Sequence, residues 1–161
     1  MLGTKTGQAV DFLYSGNEHG GIVGDMFDNK KRKRDSVEEY TITLHDIFRK
    51  YDVPQVIDYM SLDVEGAEEF IMNGFDFGTY SFKIMTIERP KDGLRQLLER
   101  HNYKQIQRLS RWGETLWINS NWEDQLDMSR LEEFSGKRQW QEQKEREKQQ
   151  QEQQQQQQSS S

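Results

Sequence analysis

The chain has no cysteine. That excludes disulfides, thiolate zinc sites and cysteine nucleophiles, and it leaves the compartment open. Proline occurs only 2 times in 161 residues, so each one works as punctuation. No apolar stretch approaches the roughly 20 residues that span a bilayer, so no membrane association is expected. Residues Met1 to Val10 lack the basic start and apolar centre of a secretory signal, and an intracellular, by default cytoplasmic, protein is expected. Basic excess is lacking too. From Lys137 to Ser161 the one apolar residue is Trp140, and Gln149 to Gln158 is almost pure glutamine. This tail cannot bury apolar area and lacks the apolar heptad positions of a coiled coil. It holds five basic and four acidic residues, leaving 17 basic and 24 acidic over residues 1–136, a net of -7. Nucleic-acid binding depends on neutralising phosphates, so no nucleic-acid partner is expected.

What is present alternates between strand and helix patterns. Ala9 to Tyr14 reads as a short strand, and Ser15 to Gly24 as a loop with four glycines. The glycine spacing fits neither a dinucleotide nor a phosphate-loop fingerprint. Lys30 to Arg34 is a basic run, read as a solvated loop, although it leaves nuclear import open. Thr43 is placed to cap a helix, with Leu44, Ile47, Phe48 and Tyr51 on one face and Pro54 ending it. Val56 to Val64 reads as a strand covered on both faces. Gly66 and Ala67 lead into a short helix through Met72, with Gly74 placed to terminate it. Phe82 to Glu88 is the next strand, stopped by Pro90. Leu94, Leu97, Leu98 and His101 mark a third helix, followed by Asn102 in a left-handed turn. Tyr103 to Leu109 and Thr115 to Asn119 form a hairpin around Gly113, whose aromatics Trp112 and Trp117 are read as packing residues. Trp122 to Ser135 reads as a helix. The three histidines, His19, His45 and His101, have no metal-ligand spacing. Alternating units of this kind predict an α/β fold with a mostly parallel sheet.

The richest stretch is Ile57-Asp58-Tyr59-Met60-Ser61-Leu62-Asp63-Val64-Glu65-Gly66-Ala67-Glu68. A strand there delivers carboxylates to its C-terminal end, where open α/β sheets bind ligands. Glu88 ends the next strand. If the two strands are neighbours, Asp63, Glu65, Glu68 and Glu88 share one sheet edge. A simpler reading also holds for such residues, because acids in a first helical turn complement the helix dipole by about 0.3–1 kcal/mol. It describes Glu68 as well as a site role does. Asp63, Glu65 and Glu88 also suit magnesium or manganese, which take oxygen ligands, but nothing in the sequence demands a metal.

The block IDYMSLDVEGAEEFIMNGFDF, followed by IMTIERP and HNYKQIQRLSRWGETLWI, resembles the C-terminal half of an FkbM-type S-adenosylmethionine-dependent methyltransferase. The resemblance spans about Thr41 to Asn119, with a weaker match upstream. It implies a Rossmann-like methyltransferase sheet, mostly parallel with a C-terminal antiparallel hairpin. It also implies S-adenosylmethionine as cofactor and a hydroxyl on a small molecule or sugar as methyl acceptor. Asp63, Glu65 and Glu88 become the catalytic candidates, and Asp63 and Glu65 the cofactor-binding ones. The organisation expected is a strand, loop and basic insertion over 1–40, a partial methyltransferase domain over 41–121, a helix over 122–136 and the tail over 137–161. The family's first strands and its glycine-rich donor loop find no counterpart upstream of Asp63. That makes the rival reading a truncated, non-catalytic remnant or interaction module.

Overall fold

The computed structural model describes residues 1–14, 20–30, 36–129 and 144. The residues Lys31 to Arg34, His19, the span after Ser129 and nearly all of the glutamine tail lie outside them.

Two sheets form. The smaller is antiparallel, with β1 (Ala9–Leu13) flanked by β2 (Gly21–Ile22) and β3 (Ser36–Tyr40). The strand at Ala9 is therefore present, but it starts its own sheet rather than joining the larger one. Leu13 and Ile22 are buried, and Val10 and Phe12 pack against the main core. The segment before β1 is sewn down: Leu2 bridges Ile42, and the buried Thr41 hydroxyl donates to the Lys5 carbonyl at 2.6 Å.

The larger sheet has the order β4 (Val56–Leu62), β5 (Ser81–Ile87), β7 (Thr115–Asn119), β6 (Tyr103–Arg108). β4 and β5 pair in parallel, whereas β7 pairs antiparallel with both β5 and β6. The expectation of a mostly parallel sheet is corrected at the level of pairing: this is a mixed sheet. The reason is local. Only β4 and β5 pair directly across a helical crossover, and the other two strands enter as a hairpin, which is antiparallel by construction. The hairpin itself stands where the sequence put it. Gly113 takes φ +104° in its turn, a region that L side chains avoid.

β4 is the outer strand of the described sheet. Asp58, Tyr59 and Ser61 are exposed, so the reading of a strand covered on both faces is also corrected. β5 and β7 carry the core instead: Phe82, Met85, Ile87, Trp117 and Ile118 are at most 1% exposed.

Helix α1 (Leu44–Lys50) is capped as its sequence predicts, with the Thr43 hydroxyl accepting the Asp46 amide at 3.0 Å. Such a cap contributes about 1 kcal/mol. Phe48 packs edge-on against Tyr80 at 5.2 Å and Phe75 at 6.0 Å. Tyr51 leaves the stripe and is 67% exposed. The helix stops one residue before it, and Asp52 turns left-handed at φ +50°. Helix α2 (Glu68–Met72) ends at its cap Asn73, directly before Gly74 as read, and Gly74 is not among the positive-φ glycines. Its need for glycine is steric, because a Cβ would sit 2.4 Å from the Thr4 carbonyl oxygen. Helix α3 (Asp92–Arg100) buries Leu94 and Leu98 completely, and Asn102 is left-handed at φ +66°, as read. Ser120–Gln125 forms a 3-10 turn, started by the Asn119 side chain accepting the Asn121 amide at 3.0 Å. This replaces the first part of the helix expected from Trp122. Among the described residues no helix is long and apolar enough to cross a membrane.

Candidate active site

Parallel pairing of β4 and β5 brings their C-terminal ends together. The Glu88 amide donates to the Leu62 carbonyl at 3.1 Å, so Asp63 and Glu88 leave adjacent strands side by side. Carboxylate oxygens of Asp63, Glu68 and Glu88 all lie within 4.8 Å of one another. The converging trio thus contains Glu68 where the sequence reading of a metal site put Glu65.

Glu68 has an evident structural task. It is 3% exposed, and its Oε1 accepts the amides of Val64 at 3.1 Å and Gly66 at 3.2 Å. These bonds shape the loop after β4. That loop is strained, since Glu65 sits at φ +54° and Gly66 at φ +88°. Arg89 across the cleft is left-handed too, at φ +42°. Non-glycine residues held in this region cost about 1–3 kcal/mol each and cluster where function fixes the backbone.

Arg89 ties the acids together. Its Nη2 lies 2.9 Å from both Asp28 and Glu88 and 3.7 Å from Glu65. Asp28 reaches the site from the segment after β2, and its amide donates to the Glu65 carbonyl at 3.3 Å. Lys91 adds a second clamp, donating to the carbonyls of Met26 and Gly66. Sequence reasoning missed Asp28, because no spacing or periodicity relates it to the DVEGAE block.

Two hollows meet at these acids. A cleft of about 950 Å³ is lined by Asp28, Asp63, Glu65, Glu88, Arg89 and the hairpin residues Arg111 and Trp112, with Asn29. A smaller cavity of about 430 Å³ has an apolar wall from Leu2, Phe12, Ile22, Val64 and Ile71, beside Gly20 and Gly21. Asp63 and Glu65 line both. The structure therefore brings Asp63, Glu65 and Glu88 to one site.

Residues 4–105, more than half of the chain, match the Methyltransferase FkbM domain. The chain belongs to the FkbM methyltransferase family. No curated protein and no solved structure matches it. In this FkbM-family chain the match takes in both sheets up to β6, and so includes Asp28, Asp63, Glu65, Glu88 and Arg89. It begins well before Thr41, where the clearer part of the sequence resemblance begins, and stops short of Arg111 and Trp112.

The acids of this family member differ in proton affinity. Desolvation in the cleft is the first cause that raises the Asp63 pKa, followed by the charge of Glu88 and a hydrogen bond shared with it; Arg89 opposes the shift. Glu65 is raised by desolvation, then by Glu88 and Asp63, again against Arg89. Glu68 is raised by burial, which its backbone hydrogen bonds oppose. Folded Asp63 therefore holds its proton more tightly than the unfolded chain does. Its stabilising contribution is complete below the ordinary carboxylate range and is lost as pH rises through the folded value. Asp63→Asn is accordingly expected to raise the melting temperature at neutral pH. The gain should shrink as pH falls and vanish below about pH 4, once the unfolded carboxyl is also protonated. Thermal scans of both proteins across pH check this, and a constant offset would show that Asp63 titrates normally.

Proposed function

We propose that this chain transfers a methyl group from S-adenosylmethionine to a hydroxyl oxygen of a small hydroxylated molecule or sugar, with Asp63 as general base. Membership of the FkbM family supports the transferase class. One observation carries the finer reading: Asp63 and Glu65 line both hollows, which meet at these acids. Hollows that meet in this way give each of two reactants a place beside the same carboxylates and let them touch there.

The residues present suit the donor. A sulfonium is a cation next to apolar groups, and the smaller cavity offers Asp63 and Glu65 beside Leu2, Phe12 and Ile71. When bound, S-adenosylmethionine supplies an electrophilic methyl group. Positioning does most of the remaining work, since holding reactants in line supplies up to about 7–11 kcal/mol of the barrier. Asp63 accepts the hydroxyl proton at a carboxylate oxygen, and its raised proton affinity suits that role. Glu88 stands beside Asp63 and is fixed by Arg89, so a second negative charge keeps Asp63 basic. Glu65 lines the smaller cavity and would face the positive centre of the donor there. Arg89, paired with three carboxylates, holds the acids in fixed positions.

The test has two parts. S-adenosylmethionine and S-adenosylhomocysteine should each raise the melting temperature of the chain, and a labelled methyl group should pass to a member of a panel of hydroxylated small molecules. No stabilisation and no transfer together would sink the proposal.

A further inference from the structure

Trp112 is the least expected residue of the large cleft. It is 67% exposed, whereas Trp117 on the same hairpin is 1% exposed. The reading of both aromatics as packing residues holds for Trp117 alone. Single exposed aromatics are common on protein surfaces, so exposure by itself decides nothing. The position is what matters, because Trp112 lines the cleft that contains Asp63, Glu65 and Glu88.

The hairpin tip that carries Trp112 is built to stay in place. Arg108 donates from Nε to the Ser110 carbonyl at 3.0 Å and from Nη2 to the Arg111 carbonyl at 2.7 Å. The Arg89 amide donates to the Gly113 carbonyl at 3.1 Å. Glycine is needed there twice over, for φ +104° and because a Cβ would meet Arg89 Cγ at 2.7 Å. The tip is thereby docked on the residue that organises the acids. The Arg111 guanidinium lies 4.5 Å from the Trp112 ring centre, a cation–π contact at the hairpin tip.

Resting on the methyltransferase reading, we infer that Trp112 is the recognition platform for the methyl acceptor, and that the acceptor is a hydroxylated ring without negative charge. An indole face takes the flat side of a ring. The opposing carboxylates accept hydrogen bonds from hydroxyls and offer no donor when ionised. Charge selects further: Asp28, Asp63, Glu65 and Glu88 face Arg89 and Arg111, and Arg89 is already paired. An anionic acceptor meets a net negative wall. The cleft volume, about 950 Å³, lies within the range of roughly 300–1,000 Å³ typical of small-molecule sites.

The experiment needs no knowledge of the natural acceptor. The indole N–H signal of Trp112 in a proton–nitrogen spectrum, assigned by its loss in Trp112→Phe, is followed while probes are added to the full chain. The neutral probes are myo-inositol and 4-hydroxybenzyl alcohol; their anionic counterparts are glucuronate and 4-hydroxybenzoate. At least one neutral probe should shift the signal saturably, and its anionic counterpart should bind about tenfold more weakly. Followed at other cleft signals, Trp112→Ala should bind that neutral probe about tenfold more weakly, with Trp112→Phe retaining most of the affinity. Silence from both neutral probes, equal affinity for the anion, or unchanged binding in Trp112→Ala overturns the inference. Donor stabilisation is scored separately. A probe that binds to a chain showing neither donor stabilisation nor methyl transfer fails the methyltransferase reading and keeps the platform. The reverse pattern fails the platform alone.

Discussion

Asp63→Asn is expected to lower methyl transfer about 100- to 10,000-fold, the range for loss of a positioned general base. Asparagine keeps the shape of the side chain and removes its ability to take a proton. The loss should fall on kcat with little change in KM, as for an interaction made only in the transition state. Donor binding, read from thermal stabilisation, should survive because Glu65 still faces the same cavity. The geometry predicts a contrast with Glu68→Gln. Glu68 acts through the Val64 and Gly66 amides, so its replacement should cost stability before chemistry. A variant at Asp63 with unchanged kcat would remove the base assignment and leave proximity alone to explain the rate.

Gly66→Ala carries the second large effect. The residue stands at φ +88°, and a Cβ would lie 2.5 Å from Asp28 Oδ1 and 2.9 Å from the Asp28 amide nitrogen. Backbone strain of this kind costs about 1–3 kcal/mol, and the collision with a neighbouring backbone adds to it. Asp28 must retreat, and with it goes one of the three partners of Arg89. The variant should therefore melt earlier and also lose order among the acids, visible as altered titration of Asp63 and Glu65. Denaturant unfolding gives the size of the first effect, and carboxyl chemical shifts followed against pH report the second. A midpoint equal to that of the parent would mean that the segment around Asp28 shifts freely, contrary to its anchoring by Arg89 and Lys91.

Much of the chain was legible because local chemistry decided it. Thr43 announced a helix start, and the structure shows its hydroxyl on the Asp46 amide. Asn102 and Gly113 announced their turns through tolerance of positive φ. The apolar run into Asp63 and the run into Glu88 announced two strand ends, which the sheet makes neighbours. What stayed hidden depends on contacts between distant segments. The small sheet escaped notice because β2 is two residues long and β3 is polar and largely exposed, so neither has a hydrophobic rhythm to read. Asp28 belongs to the site only because that sheet folds across the DVEGAE loop. The left-handed backbones of Glu65 and Arg89 are imposed by the surroundings, since neither residue type favours them. Trp112 and Trp117 look alike in sequence. The turn between them puts one in the core and one over the cleft.

The place of β7 has a consequence for how the molecule is made. This strand lies between β5 and β6 although it follows both along the chain. During synthesis β4, α2 and β5 emerge first and can pair, but β5 lacks its second neighbour until Asn119 has left the ribosome. The Gly113 carbonyl that the Arg89 amide meets belongs to the same late hairpin. Contacts between segments so far apart in sequence form late, because loop closure must precede them. The cleft is thus the last part of the sheet to be finished. A nascent chain halted before β7 would carry the acids of the site without the wall that faces them.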